Sequence, residues 1–226
     1  LLDVRENVLA DDPAQLIGLF NGESVNFSGE DRVWQALLFD VPNVRFESNA
    51  TMVFPAEPAV RLRTGCEPNA ATLFHLREGE GCYQVTDSAS DESILADFTP
   101  VTAESSRFEN GVTGVGYAVT GDDDLCVHLL WEIGAPTDTD YFFAVHFYNA
   151  DDERVAIGDG LSWPGSYWLP GDRVVRRHCV PTPETPVTHV NIGMYTLDAG
   201  TFTNLNLINA DGVAVGQMFS LDIAAD

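Results

Sequence analysis

Apolar and polar residues alternate in short runs through the second half of the chain, and turn residues separate these runs. The connectors are rich in Gly, Asp, Asn and Pro, as at 121–124, 149–152, 170–172, 198–200 and 209–212. Alternation of this length between such turns is typical of the strands of a β-sandwich. We therefore predict strands at 114–119, 125–133, 141–149, 154–158, 173–180, 188–195, 204–209 and 214–222.

The first half has a mixed pattern that predicts two helices followed by short strands. A helix is expected at 11–20, because Asp11-Asp12-Pro13 can cap and start it and an apolar run follows. A second helix is expected at 30–39, ending before Pro42. Its apolar residues recur at spacings of three and four, which predicts a buried stripe of Val33, Trp34, Leu37 and Leu38. Strands are predicted at 43–47, 50–54, 71–75 and 82–85.

These elements predict a mainly β protein with two units. A small α+β unit occupies 1–105, and an antiparallel β-sandwich, jelly-roll or Ig-like, occupies 106–226. We place the boundary at the end of a stretch rich in Ser, Asp and Thr. A chain of 226 residues is long enough for either one large domain or two modest ones.

Charge narrows the range of partners. The chain has 35 acidic residues against 11 basic ones, all of them Arg, and a formal net charge of −24. Such a charge repels nucleic acids and anionic lipid head groups, so neither is an expected partner. No apolar run approaches the roughly 18 residues of a membrane helix, so membrane attachment is expected only through segments absent from this chain. Because the chain starts without Met, we expect a mature form or an excised piece.

The four cysteines predict two disulfides and an extracytoplasmic location. No CxxC pair is present, and long spacings suit disulfides better than a metal site. In 125–131 the residues Leu125, Val127, Leu129 and Trp131 share an apolar face, so Cys126 points the other way. Cys179 shares its face with two arginines in 173–180, which also marks a non-core face. If these two strands are neighbours, this arrangement predicts the pair Cys126–Cys179, which leaves Cys66–Cys82 as the second pair.

A succession of motifs over the second half carries a family resemblance. These motifs are Arg107-Phe108-Glu109-Asn110-Gly111, Gly116-Tyr117, Leu129-Leu130-Trp131, the run 141–151, Trp168-Leu169-Pro170-Gly171-Asp172, Arg177-His178 and Gly193-Met194-Tyr195. In order and spacing they resemble the C-terminal β-sandwich region of membrane glycosyltransferases similar to dolichyl-phosphate-mannose-dependent protein mannosyltransferases. The segments 42–46 and 53–56 also look like the region just before that sandwich.

The resemblance implies an accessory or recognition domain. The membrane spans of the family and the acidic residues of its outer loops are missing, so no catalytic residue is carried over. We expect a non-catalytic extracytoplasmic domain that binds a glycan or a cell-surface protein. Two alternatives stay open: a structural subunit of an extracellular or membrane-peripheral assembly, and a secreted carbohydrate-active enzyme. A paired carboxylate would suffice for the last, but no pair among the acids lies in a recognisable motif.

An aromatic segment provides the candidate glycan site, and two acidic turns provide a candidate metal site. Trp163, Tyr167 and Trp168 can stack on sugars if they are exposed, or else cover the open end of the sandwich core. A structural calcium ion is the only cofactor considered, because carboxylates and carbonyls in turns can bind it. Its candidate ligands are Asp122, Asp124, Asp151 and Asp152. Solvated turns are the other interpretation.

Histidines offer a last candidate. His128 and His146 lie on neighbouring predicted strands and can converge on a metal ion, or else form ordinary hydrogen bonds.

Overall fold

A computed structural model describes residues 5–6, 15–19, 33–34, 36–41, 43–64, 72–75, 82–87, 92–102, 105–121 and 123–223. The protein is mainly β, as predicted, with several antiparallel sheets. It divides into two compact units, Leu1–Leu95 and Ala96–Asp226. This division precedes the sequence-based boundary at residue 105. No helix among the described residues is long and apolar enough to cross a membrane.

The first unit contains a mixed sheet. The strands of this unit are β1 (Leu16–Leu19), β2 (Val44–Phe46), β3 (Thr51–Phe54), β4 (Val60–Thr64), β5 (Thr72–His75) and β6 (Cys82–Asp87). The sheet has the order β2-β1-β4-β6-β5, with β1 parallel to both of its neighbours. Strand β6 pairs antiparallel with β4 on one edge and with β5 on the other.

The predicted helix at 11–20 is wrong over 16–19, where the chain forms the central strand β1. Leu16 and Ile17 are fully buried between β2 and β4. A central parallel strand is apolar on both faces and therefore forms a continuous apolar run, which periodicity alone cannot distinguish from a helix. Strand β4 (Val60–Thr64) is not among the predicted strands.

The second predicted helix is present where it is described. Residues 33–34 and 36–37 are helical, and Leu38 N donates to Trp34 O at 2.9 Å. They lie between the parallel strands β1 and β2, whose connection requires a crossover. Trp34 and Leu38 are buried as predicted, and Trp34 meets Tyr83 edge-to-face at 5.3 Å. Val33 is 44% exposed and does not belong to the buried stripe.

A buried ionic network crosses the same unit. The Glu47 carboxylate accepts hydrogen bonds from the Arg61 guanidinium and from Val53 N, the latter at 2.7 Å. Arg61 also donates to Val53 O at 2.6 Å, and Arg45 donates to Gln15 Oε1 at 2.5 Å. Buried charges of this kind are tolerated only when they are paired and hydrogen-bonded, which explains why these arginines can lie inside.

The second unit is a β-sandwich of two main sheets. Its strands are β7 (Thr99–Pro100), β8 (Val112–Gly121), β9 (Asp124–Ile133), β10 (Phe142–Tyr148), β11 (Arg154–Ile157), β12 (Gly160–Leu161), β13 (Arg173–Pro181), β14 (His189–Asp198), β15 (Thr201–Asn204), β16 (Leu207–Ile208), β17 (Ala214–Gly216) and β18 (Met218–Asp222). Within this unit the first sheet has the order β13-β9-β8-β7.

The second sheet centres on the antiparallel pair β10 and β14. Strands β11 and β12 pair with the other edge of β10, and β18 and β15 pair with the other edge of β14. A short hairpin of β16 and β17 completes the unit. Most predicted strands are present, but 204–209 is not one strand. Strand β15 ends at Asn204, strand β16 begins at Leu207, and both Leu205 and Leu207 are buried in the core.

Aromatic rings join the two sheets. Trp131 of β9 stacks on Phe143 of β10 with ring centroids 4.3 Å apart, and Phe219 of β18 meets Trp131 edge-on at 6.2 Å. Gly114 of β8 lies beneath these rings, since a Cβ there would be 2.9 Å from Phe219 Cζ. A larger residue at this position would therefore force the Phe219 ring to move.

Candidate functional site

The predicted disulfide Cys126–Cys179 is present and lies on the outer face of the first sheet. The two cysteines are directly opposite in the register of β9 and β13. Leu129 and Trp131 point into the core from β9, and Cys179 is exposed beside Arg177, which confirms the predicted parity of both strands. Cys82 is also disulfide-bonded. Cys66 lies outside the described residues, so its pairing with Cys82 stays a prediction.

The aromatic segment is not an exposed surface. Trp163 and Trp168 are only 2% and 3% exposed, and Trp168 Nε1 donates to Trp163 O at 3.0 Å. Both rings line a small cavity at one end of the sandwich, together with Trp131 and Phe143. Tyr167 is half-buried against Trp163, with ring centroids 5.4 Å apart. The exposure that sugar stacking requires is therefore missing, and the two tryptophans cover the core, which was the alternative interpretation.

The calcium candidates lie in separate turns. Asp124 begins β9, whereas Asp151 and Asp152 lie between β10 and β11, and Asp122 is outside the described residues. Asn149 Oδ1 accepts hydrogen bonds from the backbone N of Asp151 and of Glu153, at 3.0 and 2.9 Å, so its amide organises this turn. In the described part of the chain, no group of three or more His, Cys, Asp or Glu side chains is placed to hold a metal.

The histidines do not converge. His128 lies on the outer face of the first sheet, with Nε2 3.1 Å from Thr120 Oγ1, whereas His146 belongs to the second sheet. Burial, and then the nearby charge of Arg177, lower the pKa of His128. His178 is buried in the core, where its Nδ1 donates to Gly158 O at 2.8 Å. Burial lowers the pKa of His178 to about 4, partly opposed by this hydrogen bond.

The outer face of the second sheet carries a group of aromatic and polar side chains. Strict alternation places one set of β10 and β14 side chains in the core and the other set outside. We call this outer surface the aromatic face, defined by Phe142, His146, Tyr148, His189, Asn191, Tyr195 and Phe202.

Strand register creates two groups of rings on the aromatic face. Phe142 is opposite Tyr195, and their rings stack at 5.3 Å with planes 13° apart. Phe202, on β15, extends this group with its ring 5.4 Å from Tyr195, and it is 66% exposed. At the other end, Tyr148 stacks on His189 at 5.1 Å. The rings therefore support one another across three strands, and most of Phe202 is open to solvent.

Two histidine–aspartate pairs lie among these rings. His146 Nε2 is 3.4 Å from Asp159 Oδ1, and His189 Nε2 is 3.5 Å from Asp152 Oδ1. Asp159 Oδ1 also accepts a hydrogen bond from Val145 N at 2.9 Å, which holds the carboxylate at the sheet surface. Burial, and then the charge of Asp159, raise the pKa of Tyr195. The face thus combines ring surface with fixed hydrogen-bonding groups.

The aromatic face is not among the sequence-based predictions, although the sequence contains the alternation that produces it. Every second residue from Phe142 to Tyr148 and from His189 to Tyr195 is aromatic, polar or small, while the residues between them are mostly large and apolar. The alternation predicts the strands themselves, but it does not show which outward-pointing side chains of different strands lie side by side. Its members come from distant segments that only strand pairing brings together.

The comparisons with known proteins assign no family. No protein-family model matches the chain, and no curated protein matches it significantly. The fold and the site together define a β-sandwich with an aromatic and polar sheet face, a class compatible with ligand recognition.

Proposed function

We propose that this chain is a non-catalytic recognition domain that acts outside the cytoplasm and binds glycans through the aromatic face. The observation that carries the proposal is the Phe142–Tyr195–Phe202 ring group next to the His146–Asp159 pair. Apolar C–H faces of sugars pack on aromatic rings, while hydroxyl groups bond to carboxylates, imidazoles and amides. Asn191 and Ser220, in register with His146, add further such groups.

The disulfide and the charge support the location. A disulfide such as Cys126–Cys179 persists in oxidising compartments, which lie outside the cytoplasm. A net charge of −24 disfavours nucleic acids and anionic lipids and leaves neutral or cationic ligands. The resemblance of 107–222 to the outer region of membrane glycosyltransferases fits an accessory role beside an enzyme that handles sugars.

Glycan titration tests the proposal. The purified chain is screened against bacterial surface glycans, and the best ligand is titrated against wild type and Phe202→Ala. Because Phe202 is largely exposed, its removal should leave the melting temperature nearly unchanged but weaken binding by about tenfold. Tyr195→Ala should weaken binding at least as much, since it also separates Phe142 from Phe202.

The matched control is Val119→Ala. Val119 is a 37% exposed apolar residue on β8, in the first sheet, so its loss should leave binding unchanged. If wild type binds no glycan in the screen, or if Phe202→Ala binds as tightly as wild type, glycan recognition by this face is wrong. Turnover of aryl glycosides by wild type would refute the non-catalytic assignment.

A second candidate function is a structural subunit of an extracellular assembly. Strand β15 lies at the end of the described second sheet, and all of its residues are exposed. An uncovered edge strand can pair with a strand of another chain. Under this candidate, wild type forms multimers that grow with concentration, and Thr203→Lys is monomeric because an edge lysine opposes such pairing. A wild type that stays monomeric at all concentrations in light scattering rejects it.

A further inference from the structure

The aromatic face is surrounded mainly by carboxylates. Asp159 and Asp152 pair with its two histidines, and Asp222 is opposite His189 in the register of β14 and β18. The nearest described arginine in register is Arg154, opposite Tyr148. A ligand placed on this face therefore meets a negative potential, in a chain that is already strongly acidic.

Asp159 is the carboxylate best placed to act on a ligand. Its side chain is partly exposed and fixed by the Val145 N–H, so it needs little reordering when a ligand arrives. Its charge also reaches Tyr195, whose pKa it helps to raise after burial. Asp159 lies between β11 and β12, on the edge of β10 opposite to β14, so its carboxylate is at the Phe142 end of the ring group.

Rings and carboxylates together favour a cation. The faces of aromatic rings carry negative charge and attract ammonium groups, and a neighbouring carboxylate adds an ion pair to this attraction. A neutral sugar would use the rings and hydrogen bonds but not the negative potential. An anionic sugar would be repelled by it.

We propose that the aromatic face selects glycans that carry a free ammonium group, such as oligomers of de-N-acetylated amino sugars, with the ammonium held by Asp159 beside the Phe142 end of the ring group. This inference rests on the proposed glycan-binding function and specifies its ligand class.

The test compares two sugar tetramers of equal length, one charged and one uncharged. Glucosamine tetramer and N-acetylglucosamine tetramer are titrated calorimetrically into wild type at pH 6, in low and in moderate salt. Wild type should bind the glucosamine tetramer about tenfold more tightly than the acetylated one. Asp159→Asn keeps an acceptor for Val145 N and should remove most of this preference while retaining the melting temperature.

Controls separate a specific site from general attraction to an acidic protein. Asp211→Asn, in an exposed turn, changes the net charge equally and should keep the preference. If tetralysine binds as tightly as the glucosamine tetramer, or if both variants lose the preference alike, the inference is wrong. Equal or tighter binding of the acetylated tetramer overturns the ligand class but leaves the proposed function standing. Binding of neither tetramer, together with silence in the glycan screen, refutes both.

Discussion

The inner and outer faces of strand β10 use similar residues for opposite purposes. Phe143, Val145 and Phe147 point inward and are buried, and Phe143 stacks on Trp131 of the opposing sheet. Phe142 and Tyr148 point outward and stack on rings of the neighbouring strand of the same sheet. An inner ring therefore holds the two sheets together, whereas an outer ring builds a surface that a ligand can reach.

This difference shows why aromatic content alone is a poor guide to binding sites. Trp163 and Trp168 cluster in sequence, as a binding loop would, yet they belong with the inner rings because they close the end of the core. Tyr195 and Phe202 are more distant in sequence from Phe142 and lie on the surface beside it. Pairing of strands decides which aromatic residues lie together on the surface.

The largest expected effect comes from removing an inner ring. Trp131→Ala should destabilise the protein by about 3–5 kcal/mol, because it loses the contacts with Phe143 and Phe219 and leaves a cavity. The outer substitution Tyr195→Ala should cost about 1 kcal/mol or less, as expected for a cross-strand pair on a surface. Urea unfolding followed by tryptophan fluorescence or circular dichroism measures both. Equal losses would show that the outer rings are structural as well.

The next effect concerns a histidine inside the core. The pKa of His178 is about 4, below its ordinary value of 6.5, mainly because the charged form would be buried. Between these values the unfolded chain binds a proton that the folded chain does not. The free energy of unfolding is therefore not reduced by His178 above about pH 6.5. It falls by about 3 kcal/mol as the pH is lowered to about 4, because the unfolded chain then binds the extra proton.

The variant His178→Gln isolates this contribution. Glutamine can still donate to Gly158 O but does not titrate, so its unfolding free energy should fall less between pH 6.5 and pH 4 than that of wild type. The control is Val119→Ala, which removes an exposed side chain that does not titrate and should keep the slope of wild type. A His178→Gln protein with the full slope would assign the pH dependence to the carboxylates instead.

The smallest expected change in stability comes from substitutions in two surface turns of similar geometry. Asn149 and Asn209 each accept hydrogen bonds from the backbone of the residues two and four positions later. Asp152 has a φ of 59° in the first turn, where the second has Gly212 with a φ of 77°. Asp152→Gly should therefore stabilise the protein by up to about 1 kcal/mol, because glycine adopts this conformation without steric cost.

The opposite substitution is the matched control for this turn. Gly212→Ala should destabilise the protein by a similar amount, since alanine resists a positive φ. Thermal unfolding of both variants measures the difference. A loss of stability in Asp152→Gly would mean that the His189–Asp152 contact contributes more than the strain that glycine relieves.

The strands of the sandwich could be predicted because their signal is local. Alternation along 125–133 and 173–180 identified the core side of each strand and placed Cys126 and Cys179 on the other side. Their pairing also required the two strands to be neighbours, which the structure shows. A period of two residues is set by the backbone of an extended strand, so it can be read without knowing the strand's neighbours.

The rest depended on neighbours that are distant in sequence. The run at 16–19 suits either a helix or a strand, and it forms a strand because β2 and β4 supply partners on both edges. Burial of Trp163 and exposure of Phe202 likewise follow from what packs against each ring. Alternation determines which residues share a face, but the contacts of that face arise only when separate strands pair, and those contacts decide whether it becomes core or surface.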